Sequence, residues 1–201
     1  EAIIGMHGKT AGSIELDGKE LIGKNVKQVL DLGVGFVPED RTEDGLVAEF
    51  TIAENLMLDR SDRKPFAKGI SLQLDFLKKF AQEKLKQFDI RAQGIDSTAS
   101  QLSGGNQQKV VLARELSREL RLLVASQPTR GLDVGSIEFV HEQIVATRDS
   151  GIPVLIVATE LDEATQLGDR IAVMYRGKVV GVVPSSTSRS VLGQMMAGIS
   201  A

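Results

Sequence analysis

The chain has 201 residues, 24 Lys and Arg against 27 Asp and Glu, a net charge of -3 and no cysteine. A chain of this length buries roughly 70% of its unfolded surface, and without cysteine it forms no disulfide or thiolate metal site, in agreement with a reducing compartment. The slightly acidic balance argues against a chain built to grip nucleic acid, and its longest apolar runs, such as Ile152 to Ala158, fall far short of the roughly 20 residues that cross a bilayer. The sequence begins at Glu1 and not at Met, so it is read as a piece of something longer, with no signal peptide expected. Glu1 to Met6 reads as the end of a helix stopped by Gly5 and Gly8. Gly12 to Gly18 alternates apolar and polar residues and ends in Asp-Gly, a strand followed by a turn. Lys24 to Leu32 is a short helix, and Val34 to Pro38 a buried strand spilling into the charged loop Glu39 to Gly45. From Thr51 to about Leu120 the text is helical, with Leu74, Leu77, Ala81, Leu85 and Phe88 on one apolar face and a polar breaker over Arg60 to Pro65. Leu122 to Ala125 is a strand, Ser136 to Ser150 a helix, Pro153 to Ala158 a strand and Asp162 to Leu167 a helix. Arg170 to Gly181 is a hairpin turning at Arg176-Gly177. Solid apolar runs separated by helices predict a parallel sheet covered on both faces, with an antiparallel flank from the alternating strands near the two ends.

The sharpest chemical feature is Gln101-Leu-Ser-Gly-Gly-Asn-Gln-Gln-Lys109, which opens the helix carrying Val110, Ala113, Leu116 and Leu120. A serine before two glycines at a helix start suits an anion. The glycines let backbone N–H groups approach a phosphate, and the helix end adds roughly half a positive charge. On Ser-Gly-Gly alone, a plain N-cap by Ser103 is the simpler reading. Gly8-Lys9-Thr10 tempts as a phosphate loop, but the residue five before Gly8 is Ile3 and a strand follows, so the tripeptide reads as a turn. His7 in a turn and His141 on a helix read as solvent-facing or packed side chains.

Within this nonapeptide, the eight residues Leu102-Ser103-Gly104-Gly105-Asn106-Gln107-Gln108-Lys109 resemble the signature motif of ABC-type ATPases. Leu122 to Asp133 is similar to a Walker B strand running into a D-loop, Val157 to Glu163 to the switch-histidine loop, and Phe36-Val-Pro-Glu-Asp40 to the Q-loop. Pro-Glu-Asp-Arg, Gly-Asn-Gln-Gln-Lys and Pro-Thr-Arg-Gly-Leu-Asp are most like the ATP-binding subunits of simple-sugar and nucleoside importers, whose single polypeptide carries two nucleotide-binding halves. The resemblance implies an α/β, P-loop NTPase-like core with a mostly parallel sheet, an antiparallel flank and an inserted helical subdomain. It divides the chain into 1–50, an N-terminal part of the core with the Q-loop; 51–120, the helical subdomain with the signature; and 121–201, the C-terminal part of the core. It also implies that the Walker A loop lies upstream of Glu1, outside this sequence.

The departures from the family pattern are specific. Ser126 and Gln127 stand where Walker B ends in Asp-Glu, and neither carries the charge that steadies Mg²⁺ or accepts a proton from water. Thr159 takes the switch-histidine position, and Glu39 the Q-loop glutamine position, as is usual in this importer branch. The resemblance therefore implies the second, degenerate half, whose Leu102, Ser103, Gly104, Gly105, Asn106 and Gln107 close over ATP and Mg²⁺ held by the N-terminal half of the same polypeptide. Asp133 would couple the two sites. On the same grounds the partners are transmembrane permease subunits and, indirectly, a solute-binding protein, without nucleic acid, at the cytoplasmic face of the cell membrane. The coupling groove toward the permease is expected near Glu39, Asp40, Arg41 and Phe50 to Leu56, while Lys78, Lys79, Lys84 and Lys86 read as a solvated helix face. Two other readings are weighed against this one: a soluble ABC ATPase of nucleic-acid repair or translation, disfavoured by charge, and an assembly scaffold that binds no nucleotide, disfavoured by the paired glycines. The transported solute is not legible beyond a lean toward nucleosides.

Overall fold

The computed structural model describes residues 1–8 and 11–199, in two compact units, Glu1–Leu155 and Ile156–Ala201. Lys9 and Thr10 of the Gly8-Lys9-Thr10 reading lie outside the described residues. The first six residues form hydrogen-bonded turns where a helix end is expected. The Gly5 N–H donates to the Ala2 carbonyl (3.3 Å) and the Met6 N–H to the Glu1 carbonyl (3.2 Å). Gly5, at φ +76°, makes the reversal; a Cβ there would lie 2.5 Å from the Lys24 carbonyl oxygen.

The alternating segment after Gly12 yields β1 (Glu15–Leu16), which turns at Asp17-Gly18 onto β2 (Lys19–Glu20). Both turn residues have positive φ, the geometry of a two-residue hairpin connection. Glu20 ties this hairpin down: its carboxylate accepts the Ser13 hydroxyl (2.6 Å) and the amides of Ile22 (2.8 Å) and Ile14 (3.0 Å). The Ser13 hydroxyl first, and then the two amides, lower the Glu20 pKa to about 2.

Helix α1 (Val26–Asp31) starts on an Asn25/Gln28 capping box, and β3 (Val34–Val37) follows. A single π-helical turn over Arg41–Gly45 leads to α2 (Ile52–Met57), which opens on the Thr51/Glu54 capping box. The expected helical block is interrupted by a small hairpin of β4 (Ala67–Lys68) and β5 (Ser71–Leu72). Then come α3 (Leu74–Gln87), a 3₁₀ turn at Ala99–Gln101 and α4 (Gly104–Glu115). On α3, Leu77 and Ala81 are buried, with Phe88 at the C-cap, but Leu74 is 57% exposed, while Phe76 and Phe80 of the helix meet the buried Phe66 ring.

Strand β6 (Leu122–Ser126) precedes α5 (Val134–Asp149), which starts two residues earlier than the sequence reading because Asp133 caps it. Strand β7 (Val154–Val157) completes a three-stranded sheet of order β3-β6-β7, with β3 and β6 parallel and in register from Val34–Leu122 to Val37–Ala125. Val34 and Val124 join Ile4, Leu21 and Val29 in a core that also packs Ile14 and Leu32. Burial on both faces holds for the centre of β6, while β7 alternates half-buried and exposed residues, with Val157 50% exposed.

The second unit continues with α6 (Leu161–Leu167), β8 (Arg170–Tyr175) and β9 (Lys178–Pro184), and ends in α7 (Arg189–Met196), a helix not expected from the sequence and capped by Ser188. The β8–β9 hairpin turns at Arg176-Gly177 as expected, both at positive φ. Leu192 and Met195 of α7 pack on Val173, Ile171 and Val183. The hairpins near both ends are antiparallel, each forming its own two-stranded sheet.

Candidate functional site

Ser103 caps α4 and is exposed; its hydroxyl accepts from the Asn106 side-chain amide (2.9 Å) and, at 3.5 Å, from the Asn106 N–H. Asn106 Oδ1 in turn accepts the Arg91 N–H (2.8 Å), which fixes the loop after α3 against the helix start. Leu102 closes the preceding 3₁₀ turn, its N–H donating to the Ala99 carbonyl (3.2 Å), and Gln107 Nε2 donates to the same oxygen (3.0 Å). The amides of Gly104 and Gly105 are the first two of α4, positions that have no intrahelical acceptor.

The two glycines make room for side chains from elsewhere in the fold. A Cβ on Gly104 would lie 2.5 Å from Arg41 Nη2, and one on Gly105 would lie 3.0 Å from Ser136 Cβ, against its hydroxyl, and 3.2 Å from Asp133 Oδ2. Asp133 is exposed and caps α5 with both oxygens, Oδ1 accepting the Ser136 N–H (3.0 Å) and Oδ2 the Ser136 hydroxyl (2.7 Å). The Ser136 hydroxyl, then its amide, hold the Asp133 carboxyl below its usual range. Ser103, Asn106, Asp133, Ser136 and Lys109 line a cleft of about 430 Å³ between the starts of α4 and α5. Lys109 crosses its floor: Nζ donates to the Asp89 carbonyl (2.8 Å) and carboxylate (2.9 Å) and stands 4.6 Å from the centre of the Phe139 ring.

At the end of β6, Ser126 and Gln127 are half-buried, and Gln127 takes a positive φ (+44°), rare for a residue with a Cβ. Gln127 opens a turn in which the Arg130 N–H donates to its carbonyl (3.1 Å). The buried Gln108 of α4 holds this loop by donating to the Pro128 carbonyl (2.7 Å). Glu39 forms an ion pair with Arg130, and Arg41 Nη1 donates to the Arg130 carbonyl (3.1 Å). The structure thus joins Glu39, Arg41, the signature and the loop after β6. Thr159 lies two residues beyond the end of β7, in the second unit.

Three further polar anchors were not singled out by sequence reasoning. Glu115, almost fully buried, accepts the Phe36 N–H of β3 (3.2 Å) and the guanidinium groups of Arg114 (2.8 Å) and Arg118 (3.0 Å). Arg60 donates to the Ser117 and Leu56 carbonyls and stacks over Phe66, and its burial pulls its pKa down. Asn55 is fully buried within the expected coupling region, where it accepts the Val47 N–H and donates to the Val47, Phe50 and Thr51 carbonyls. Glu115 and Lys109 are charged residues on a helix that also carries the apolar run Val110 to Ala113, and a charge buried there demands a partner.

A strand-loop-helix sheet with a glycine-opened helix at a lined cleft is the architecture of a nucleotide-binding cassette. The ABC transporter family model matches residues 1–130, and the chain belongs to this family. It is 43% identical over 199 residues to the nucleoside import ATP-binding protein NupA of Lactococcus lactis subsp. cremoris, covering 98% of this chain and 39% of that protein. It is 41% identical over 200 residues to the guanosine import ATP-binding protein NupO of Bacillus subtilis, again 98% of this chain and 39% of that protein. Against the glucose import ATP-binding protein TsgD13 of Haloferax volcanii it is 39% identical over 201 residues, 98% of this chain and 36% of that protein. The chain therefore spans about two fifths of the length of these relatives. Among solved structures, a dimeric ATP-binding cassette bound to ADP and Pi superposes with a TM-score of 0.72 at 24% identity, covering 89% of this chain and 75% of that one. That likeness shows the shared P-loop α/β fold.

Proposed function

We propose that this chain acts as a nucleotide-binding half of an importer for a sugar or nucleoside, and that its signature turn closes over ATP and Mg²⁺ held by another half. Three relatives whose names specify nucleoside, guanosine and glucose import support the solute class. The partners are a nucleotide-binding half preceding it in the same polypeptide, transmembrane permease subunits at the cytoplasmic face of the membrane and, through them, a solute-binding protein. Among the described residues no helix is long and apolar enough to cross a membrane, so the chain would meet the bilayer through such subunits. The division into 1–50, 51–120 and 121–201 follows the same reading.

The observation that carries the proposal is an asymmetry within one chain. The signature end of α4 presents an exposed Ser103 at an open cleft, followed in sequence by two first-turn glycine amides, the arrangement of an anion-binding helix start. The end of β6 presents Ser126 and Gln127, which are neutral and do not fit a Mg²⁺ ion or a proton-accepting role. With Thr159 in place of a switch histidine, this half contributes positive potential to a γ-phosphate and leaves water activation to the other half. Ser103 and the Gly104 and Gly105 amides would stabilise charge gathering on that phosphate; losing one such preorganised donor costs on the order of 3 kcal/mol in barrier. Ser103→Arg in the assembled transporter is expected to abolish ATP turnover and transport, and Gln127→Ala to change either little. Equal loss in both variants, measured as ATPase rate in reconstituted membranes, would make this half catalytic and overturn the proposal.

A further inference from the structure

Residues 36–45 run along the whole length of α4, a helix of 12 residues and roughly 18 Å. They touch it at three heights. Near the C-terminal end of α4, Glu115 accepts the Phe36 N–H (3.2 Å). Midway, Gly45 fits so closely that a Cβ there would lie 3.2 Å from both Val111 Cγ2 and Pro38 Cγ. At the N-terminal end, the Arg41 guanidinium occupies the space that Gly104 leaves free. Arg41 has little freedom to move away. Asp40 fixes the turn that begins with it by accepting the Thr42 hydroxyl (2.6 Å), the Thr42 N–H (2.9 Å) and the Glu43 N–H (3.2 Å). Its Nη1 is engaged by the Arg130 carbonyl (3.1 Å), and Arg130 is paired back to Glu39.

We propose that Arg41 is a positioning residue for the signature turn: its guanidinium, wedged between Gly104 and the Arg130 carbonyl, sets where the Ser103-Gly104-Gly105 amides stand. A cation beside the positive end of a helix is electrostatically unfavourable by itself, so packing and the Arg130 carbonyl must hold it there. This gives the charged loop a second role beside any contact it makes with a membrane subunit. A displacement of residues 39–45 is delivered to the signature amides directly, through a single side chain, while Glu115 keeps the far end of α4 fixed to β3. Lysine does not substitute, because one ammonium cannot both reach the Arg130 carbonyl and fill the planar gap over Gly104.

The inference rests on the proposed function, and the test separates the two. The assembled transporter is prepared with Arg41→Ala, Arg41→Lys, Gly104→Ala, the Gly104→Ala/Arg41→Ala pair, and Ser103→Arg as reference. Arg41→Ala and Arg41→Lys are expected to lower kcat for ATP at least about tenfold, with KM for ATP and the melting temperature of the protein unchanged, because misplacement of about 1 Å suffices for losses of this kind. Gly104→Ala is expected to give a similar loss, since the nearest atoms to its new methyl group all belong to Arg41. The double variant is then no slower than Arg41→Ala alone. Wild-type kcat in Arg41→Ala, or losses that multiply in the double variant, would overturn the positioning role. A fall in melting temperature that accounts for the loss would reduce Arg41 to a structural part and overturn it equally. If Ser103→Arg is also fully active, the proposed function fails; if Ser103→Arg is dead while Arg41→Ala is not, only the positioning role does.

Discussion

Gly105→Ala puts the cleft geometry under direct strain. Gly105 has an ordinary helical backbone, so the substitution costs nothing in φ and by propensity alone would stabilise α4 by about 1 kcal/mol. The added methyl group, however, would lie 3.0 Å from Ser136 Cβ and against the Ser136 hydroxyl, with Asp133 Oδ2 at 3.2 Å. Ser136 cannot swing aside freely, because its hydroxyl and amide are both bound by Asp133. Either the start of α5 shifts or the Asp133 cap opens, and a lost cap costs about 1 kcal/mol. Adding the typical overpacking cost of roughly 1–3 kcal/mol and subtracting the propensity gain leaves a net destabilisation of about 2 kcal/mol. Gly135→Ala is the control: a Cβ there meets only Asp133 Oδ1, at 3.5 Å, an ordinary contact, so that variant should match or slightly exceed wild type. Equilibrium urea denaturation of the two variants measures both. A Gly105→Ala protein as stable as Gly135→Ala would show that α4 and α5 are not packed at the signature as described.

Glu115→Gln keeps an oxygen for the Phe36 N–H but leaves the buried Arg114 guanidinium without its counter-charge, and should cost about 3 kcal/mol in the same assay. By contrast, Lys27→Ala, which removes an exposed pair with Asp62, should stay within about 0.5 kcal/mol; similar losses in both would refute the distinction. Glu20 gives a pH test. Its folded pKa, about 2, is below its ordinary value of 4.5, so its hold on the β1–β2 hairpin is complete above 4.5 and fades as pH falls toward 2. An NMR titration of the Glu20 carboxyl should find a midpoint near 2, and a midpoint near 4.5 would mean that the Ser13 and Ile22 bonds are not formed in solution.

The elements read correctly from sequence are those with dense local signals. Val34 to Pro38 and Leu122 to Ala125 are unbroken apolar runs, and Arg176-Gly177 is a two-residue turn between alternating strands. The β4–β5 hairpin escaped because strands of two residues have no periodicity, and Ile70 at its tip is fully exposed where apolar residues suggest burial. Helix α7 was legible in principle: Ser188 caps it, and Leu192 and Met195 recur at helical spacing. At the site, Ser103-Gly104-Gly105 marked a helix start capped by Ser103, as the structure has it, but the pattern is silent on what fills the space beside the glycines. That space is taken by Arg41 and Ser136, side chains remote in sequence, and only the tertiary fold brings them there. The same holds for Gln108, whose partner, the Pro128 carbonyl, is a backbone atom that no sequence motif marks.

The proposed engagement of the signature turn with ATP held by another half is open to one direct measurement, helped by the chain having no cysteine of its own. In the assembled transporter, otherwise free of reactive thiols, Ser103→Cys introduces a single exposed thiol at the cap of α4, and its rate of maleimide labelling is followed with and without MgATP. ATP is expected to slow that labelling strongly, because the closed partner site covers the thiol. Labelling at the same rate with and without ATP would contradict the claim that this signature closes over nucleotide.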